Sequence, residues 1–231
     1  MKTETANNSV VVTPLTSQYS LRFDGEVESS SYYRFELQAL AEANEGDQVL
    51  VTLNSVGGSL HTGIEVVNSL KACPTNIHGS LRGVAHSCGS IIFLACDTHD
   101  VGIASEMLLH SGEGGNFGTP SQCIERAKSY KRQVRTLFNT VYRGFLTEDE
   151  LDSMVDDDKE LIFGEEEIKL RLNRMYQFRE EVATNNHKQM EEAFFEEQDK
   201  IVEETLAELD ITEEEREVFN KVAKLLDEKI M

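Results

Sequence analysis

Ser87 is the residue whose surroundings best suit chemistry. It stands in Gly83-Val84-Ala85-His86-Ser87-Cys88-Gly89-Ser90, which runs into the apolar Ile91-Ile92-Phe93-Leu94-Ala95. Residues 75–81 read as an extended segment leading in, and the apolar run reads as a buried helix. Ser87 then falls where strand hands over to helix. Such a turn exposes the hydroxyl, and the backbone N–H groups just beyond it belong to a helix start, with unpaired donors and a positive dipole end. Those donors can hold the oxyanion of an acyl-transfer intermediate. A serine hydroxyl is a weak nucleophile at neutral pH and needs a base. The pattern Ala85-x-Ser87-x-Gly89 differs by one residue from the G-x-S-x-G elbow of other hydrolases. Small residues at a strand–helix turn also serve close packing, so the neighbouring segments must carry the reading.

Upstream, after a strand at 48–53, lies Asn54-Ser55-Val56-Gly57-Gly58-Ser59. Downstream lie Met107-Leu108-Leu109-His110, the glycine-rich Ser111-Gly112-Glu113-Gly114-Gly115-Asn116-Phe117-Gly118, and Asp156-Asp157-Asp158-Lys159-Glu160-Leu161. In this order and spacing the set resembles ClpP, the proteolytic subunit of the Clp protease. That family's N-S-P-G-G-S, G-x-A-x-S-x-G-A, x-x-x-H-Q-P and D-R-x-x-x-x-x-E-A segments all have counterparts between residues 21 and 172. The resemblance implies an α/β fold, a ClpP/crotonase-like spiral of βαβ units with a projecting handle helix. It implies Ser87 as nucleophile and His110 as the base that takes the serine proton and returns it to the leaving amine. It implies Asp158 as the carboxylate that orients the imidazole, with Asp156 and Asp157 close enough in register to leave the choice open. Backbone N–H groups of Gly58 and Cys88 would form the oxyanion hole, glycine at 58 letting substrate approach closely. Substrate would bind beside Gly57 and along a strand at 112–118, through Gly112, Gly114, Gly115, Asn116 and Phe117, as an added β-strand.

The chain departs from the family at several points. Val56 replaces the proline of the double-glycine segment, Ser111 replaces the glutamine after the histidine, and Lys169-Leu170-Arg171-Leu172 stands where the family has G-L-I-D. The segment before residue 18 offers no counterpart to the family's axial loop and first helix. This divergence fits a phage- or plasmid-borne member. His86 adjoins Ser87, but adjacent side chains diverge at such a turn. His61, His78, His99 and His187 lack partners at metal-ligand spacing and read as structural or surface residues, so no metal is expected. Cys88 reads as packed, contributing only its N–H. No phosphate loop is present, so ATP would be hydrolysed by a separate partner and no cofactor is expected.

Around these residues, strands and helices alternate as parallel βαβ units require. A strand at 20–23 with a turn at Asp24-Gly25, and a helix at 30–44 ending at a left-handed Gly46, precede the 48–53 strand. A helix at 62–73 is stopped by Pro74, and a short strand is expected near 100–104. A long helix at 121–145 carries Arg126, Lys128, Lys131, Arg132 and Arg135, a face that reads as solvated ion pairs. Its Val134, Leu137, Phe138, Val141 and Tyr142 form an apolar stripe, which a lone subunit is expected to expose and a second ring to bury. Thr147 and Glu150 make a capping box.

With 231 residues, the chain has room for a variable segment (1–18), a peptidase domain (19–175) and an acidic helical extension (176–231). The extension carries about half of the −20 net charge. Its second capping box, Thr212 with Glu215, opens an amphipathic stretch at 218–230. The acidity makes nucleic acid and anionic membranes poor partners. Scattered Cys73, Cys88, Cys96 and Cys123 read as free thiols in a reducing, cytoplasmic setting. No run is apolar enough to span a bilayer.

Three functions compete. The first is a serine endopeptidase working on peptides and unfolded proteins inside a homo-oligomeric chamber of two heptameric rings, served by an AAA+ unfoldase. The second is a catalytically weak subunit or decoy that modulates another Clp protease by joining host ClpP subunits. The third is an acyl-CoA-handling enzyme on the same spiral fold, which would need no Ser–His–Asp set.

Overall fold

In the computed structural model, which describes residues 16–115 and 117–208, strand β2 (Gln48–Gly58) lies at the centre of the early fold. Val49, Val51, Leu53 and Ser55 point inward on alternate positions, as a pleated strand demands. β2 pairs in parallel with β1 (Gln18–Val27) on one side and β3 (Ile77–His86) on the other. The sheet runs β1-β2-β3-β5-β6, and β4 (Thr98–Val101) pairs with the first half of β3. The second half of β3 pairs with β5 (Glu106–Leu109). Among the described strands, only β6 (Leu161–Gly164) is antiparallel, against β5.

The change of partner along β3 has a local cause. The β2–β3 register slips between Leu53 and Ser55, so that Ser55 faces Ala85. Asn54 fills the gap, its Oδ1 accepting the Val84 N–H at 3.2 Å. Gly83 makes the room, since a Cβ there would lie 2.2 Å from Asn54 Oδ1. A second slip, at Gly25/Glu26 in β1, replaces the expected turn at Asp24-Gly25. Gly25 takes φ +74° as the strand continues, and its carbonyl accepts the Ser55 hydroxyl at 2.6 Å. A bulge closed by a buried side chain looks like a turn in sequence because both use glycine.

Helices cover the sheet. A 3-10 turn (Ser30–Tyr33) leads into α1 (Arg34–Glu42), which stops before Gly46. Gly46 does have positive φ, but in the turn that follows the helix. α2 (Leu60–Ala72) is capped by Ser59, whose side chain accepts the Thr62 N–H. α3 (Cys88–Ala95) is buried at all eight positions and lies against β2 and β3. A helix apolar on every side belongs in a core, and each Ile, Leu or Phe buried there contributes about 1.5–3 kcal/mol. α4 (Pro120–Val141) and α5 (Glu148–Asp156) each begin with a complete capping box, at Thr119/Gln122 and Thr147/Glu150.

The apolar stripe of α4 corrects an expectation. Val134, Leu137, Phe138, Val141 and Tyr142 are buried within the single subunit, in the same core as α3. The earlier turns of the helix are the exposed part, with Ile124 the large apolar residue there. Three residues of its basic face form the ion pairs expected: Arg135 binds Asp152 and Asp156, Lys131 binds Asp156, and Lys128 binds Glu125. Arg126 instead donates to the Phe117 carbonyl.

The chain divides into two units, Met1–Gln177 and Phe178–Met231. α6 (Glu165–Glu208) begins in the first and continues through the described part of the second, so no helix boundary marks residue 176. The Thr212 capping box and the 218–230 face lie outside the described residues, as does most of segment 1–18. Among the described residues, no helix is long and apolar enough to cross a membrane.

Candidate active site

Ser87 caps α3 with φ +50° and ψ −121°. A non-glycine residue in this region carries strain of about 1–3 kcal/mol and persists only where its surroundings hold it. Three things hold Ser87. Its N–H donates to the Leu108 carbonyl of β5 at 2.7 Å. Its carbonyl accepts the Ser90 N–H at 3.0 Å. Gly57 lies directly behind it, where a Cβ would stand 2.6 Å from Ser87 Cβ and 2.7 Å from the His86 carbonyl. Gly57 is therefore a packing partner of the nucleophile and does not line the cavity in front of it.

That cavity, about 670 Å³, is lined by Gly58, Ser87, Cys88, His110, Gly112, Gly114, Gly115 and Asp158, among others. Its volume suits a segment of peptide or a small ligand. Ile91, Val134, Phe138 and Val155 supply apolar wall, while His61, Tyr130 and Lys131 supply polar groups. His61, read from sequence as structural or surface, thus faces the cavity. His86 turns away, its Nε2 3.1 Å from Glu106 Oε1, and is not part of the lining. Among the described residues, the Ser87 hydroxyl and the His110 imidazole make no hydrogen bond in the single subunit.

Cys88 is the first residue of α3, so its N–H has no acceptor within the helix. Its thiol lies 3.4 Å from the Ser59 carbonyl, and burial pushes its pKa up to about 12. A thiol so placed is inert and packs as a small apolar group. Gly58 sits at φ +148°, with Val27 of β1 so near that a Cβ would lie 2.3 Å from its carbonyl oxygen. The next ladder bond comes from Ser59, whose N–H donates to that carbonyl at 2.7 Å.

The three consecutive aspartates separate clearly. Asp156 is held by Lys131 at 2.8 Å and Arg135 at 2.6 Å, and these bonds lower its pKa. Asp157 caps α5 and is exposed. Asp158 takes φ +53°, a conformation aspartate tolerates better than most residues. The N–H groups on either side of it, from Asp157 and Lys159, both donate to the Ser153 carbonyl and close the helix end. Asp158 Oδ1 then accepts the Ser111 hydroxyl at 2.8 Å. Ser111 follows His110 directly, so the carboxylate is tied to the histidine's own loop.

Residues 111–119 form no strand among the described residues, contrary to the expected substrate strand at 112–118. Gly112 has φ +84° and lies against the Tyr130 hydroxyl, which donates to the Ser111 carbonyl at 3.4 Å. Gly114 and Gly115 face open space, and Phe117 is 88% exposed and outside the cavity. Asn116 lies outside the described residues. No group of three or more His, Cys, Asp or Glu side chains among the described residues is placed to hold a metal ion.

The Clp protease family model matches residues 4–169, more than two thirds of the chain. The chain belongs to the Clp protease family. Its match begins inside the segment that the motifs alone leave without a counterpart, so the family pattern reaches further toward the N-terminus. A curated relative, ATP-dependent Clp protease proteolytic subunit 3 of Rhodococcus jostii (strain RHA1), is 29% identical over 126 residues. The matched region covers 52% of this chain and 62% of the relative, so the chain spans about three fifths of that protein's length.

Against the Clp protease family, the departures at Val56, Ser111 and 169–172 are all accommodated. Val56 is 59% exposed, so it replaces the family proline without loss of core contact. Ser111 carries the Asp158 contact. Arg171 grips Glu150 with two bonds, at 2.8 and 2.7 Å, binds Glu167 at 2.6 Å, and stacks 4.0 Å from the Phe163 ring centroid. Sequence reasoning singled out neither Ser111 nor Tyr130 as part of the site. The adjacency of Ser111 to His110 was the available signal for the first; for Tyr130, nineteen residues along the chain from Ser111, there was none.

Proposed function

We propose that the chain is a ClpP-type serine endopeptidase, with Ser87 as nucleophile, His110 as general base and Asp158 as the carboxylate that orients it. The observation that carries this reading is convergence. Ser87 from the β3–α3 turn, His110 from the end of β5, and Asp158 from the end of α5 line one cavity with Gly58 and Cys88. The mechanism follows from that arrangement. His110 takes the Ser87 proton as the hydroxyl attacks a peptide carbonyl, and the oxyanion is received by the Gly58 and Cys88 N–H groups. His110 then protonates the leaving amine, and water resolves the acyl-enzyme by the same steps. The working particle is a ring-shaped homo-oligomer whose chamber admits peptides and unfolded chains. Residues 19–175 form the peptidase domain, and 176–231 are an acidic extension.

A second reading has one observation in its favour. Ser87 and His110 are not hydrogen-bonded in the single subunit, which fits a weak subunit or decoy that modulates another Clp protease. Catalytic hydrogen bonds are often loose without substrate, so this geometry is also compatible with the first reading. A fluorophosphonate probe separates the two. Labelling mapped to Ser87, lost in Ser87→Ala and cut by several powers of ten in His110→Ala, is the expected result. An intact, oligomeric protein that never labels would leave the decoy reading standing.

A further inference from the structure

Tyr142 follows directly on α4, its ring wholly buried. Its hydroxyl oxygen lies 2.7 Å from Ser90 Oγ, across fifty-two residues of chain. Ser90 Oγ in turn lies 2.6 Å from the carbonyl oxygen of Ser87. The direction of this chain of bonds is fixed by chemistry. A carbonyl oxygen only accepts, so the single Ser90 hydroxyl proton goes to Ser87, and Tyr142 must donate to Ser90. Burial pushes the ionisation of the Tyr142 phenol well up, so it keeps the proton it donates.

The Ser87 carbonyl therefore accepts twice from Ser90, once from its hydroxyl and once from its N–H at 3.0 Å. The peptide unit that carries this carbonyl also carries the Cys88 N–H. A trans peptide is planar, and its C=O and N–H point in opposite directions. Whatever fixes the carbonyl also fixes the amide. The Cys88 N–H is the donor assigned to the oxyanion, and it follows a residue held at φ +50°.

We infer that Ser90 and Tyr142 are positioning residues: their relay, Tyr142 hydroxyl to Ser90 hydroxyl to Ser87 carbonyl, aims the Cys88 amide at the oxyanion. Neither side chain is a cavity-lining residue, and neither touches the reacting atoms. The relay also connects the end of α4 to the nucleophile turn, so movement of that helix end is felt at the amide. The plainer account is that two buried hydroxyls satisfy one another, which would affect stability and not rate. The effect on rate rests on the serine-peptidase reading; the hold on the turn does not.

Tyr142→Phe removes one oxygen and leaves the ring, and Ser90→Ala removes the link itself. Losing an oxyanion donor outright costs about 10²–10³ in kcat. Misaiming one costs part of that, so Tyr142→Phe is expected to lower kcat about tenfold with KM nearly unchanged. Ser90→Ala lowers it further, and the double variant is no worse than Ser90→Ala, because a relay is broken only once. Fluorophosphonate labelling of Ser87 slows in parallel. Amide hydrogen exchange over residues 87–90 speeds up in both variants while exchange in α4 holds. Wild-type kcat and wild-type exchange at 87–90 in Tyr142→Phe, with only a lower melting temperature, would overturn the inference. Should the wild-type protein neither cleave nor label, the peptidase reading fails, and the exchange measurement still decides whether the relay holds the turn. Should Ser90→Ala fail to fold, Tyr142→Phe carries the test alone.

Discussion

Asp156, Asp157 and Asp158 are consecutive carboxylates with three different fates. Asp156 also lines the cavity, but it is neutralised by Lys131 and Arg135, and its bonds tie α4 to α5. Asp157 is exposed at the helix end. Asp158 faces the cavity, held by one neutral hydroxyl, that of Ser111, and so retains acceptor capacity for an imidazole N–H. The three variants to asparagine should therefore separate. Asp158→Asn is expected to reduce kcat by several powers of ten with the fold intact, because an amide favours the wrong histidine tautomer. Asp156→Asn should leave most of the activity and change stability little, as befits solvent-screened ion pairs. Steady-state kinetics beside denaturant melts would check both. Equal kinetic losses in Asp156→Asn and Asp158→Asn would move the triad assignment. Ser111→Ala belongs to the same scale: it frees Asp158 and should change kcat by less than Asp158→Asn does.

At the scale of elements, the aim of α5 decides where Asp158 stands, and one carboxylate anchors that helix twice. Glu150 accepts the Thr147 N–H at 2.9 Å as part of the cap and also receives the Arg171 fork from α6. The Arg171 bonds, chiefly, hold its pKa down at about 2. A carboxyl whose folded pKa lies below its unfolded value stabilises the fold above the unfolded pKa and loses that contribution as pH falls through the folded one. Glu150→Gln should accordingly lower the melting temperature at pH 7, and the gap from wild type should close between about pH 4.5 and pH 2. Thermal melts across that range would test it, and a gap independent of pH would assign the effect to packing instead. The capping box of α5 and the apolar run of α3 were legible in the sequence because both signals are local. β6 was not, since Leu161–Gly164 is four residues long and pairs only through β5. The stripe on α4 was legible as a buried face, but periodicity does not say what buries it. Phe138 and Tyr142 pack within the subunit core, which no spacing rule distinguishes from a neighbouring ring. The Ser90–Tyr142 contact escaped the sequence for the same reason, its partners being distant in the chain. Ser87, Gly57 and Gly58 stood out in the sequence through the motifs shared with the family, but the place of Gly57 behind Ser87, where it packs and does not meet substrate, was not legible because the two are thirty residues apart.

At the scale of the whole molecule, the case for assembly now rests on different residues from those the stripe supplied. Large apolar side chains are left exposed on the first unit at Tyr32, Phe35, Ile103, Phe117 and Ile124. Phe117 and Ile124 flank the start of α4, beside the unpaired loop that follows His110. Covering that end with another subunit would bring His110 into register with Ser87, so assembly and activity should rise together. The net charge of −20 on each chain opposes that association, and salt relieves the repulsion. Lowering ionic strength should therefore dissociate the proposed ring oligomer and reduce its specific activity in step. Ile124→Glu, at an exposed position, should favour dissociation and inactivation while the subunit's melting temperature stays close to wild type. Leu137→Glu gives the contrast: it puts a charge into the core and should unfold the subunit outright, by several kcal/mol. Light scattering coupled to peptidase assays across a salt series would follow mass and rate in the same samples. A particle of about 26 kDa with full activity would end the coupling, and with it the chamber as the source of substrate selection.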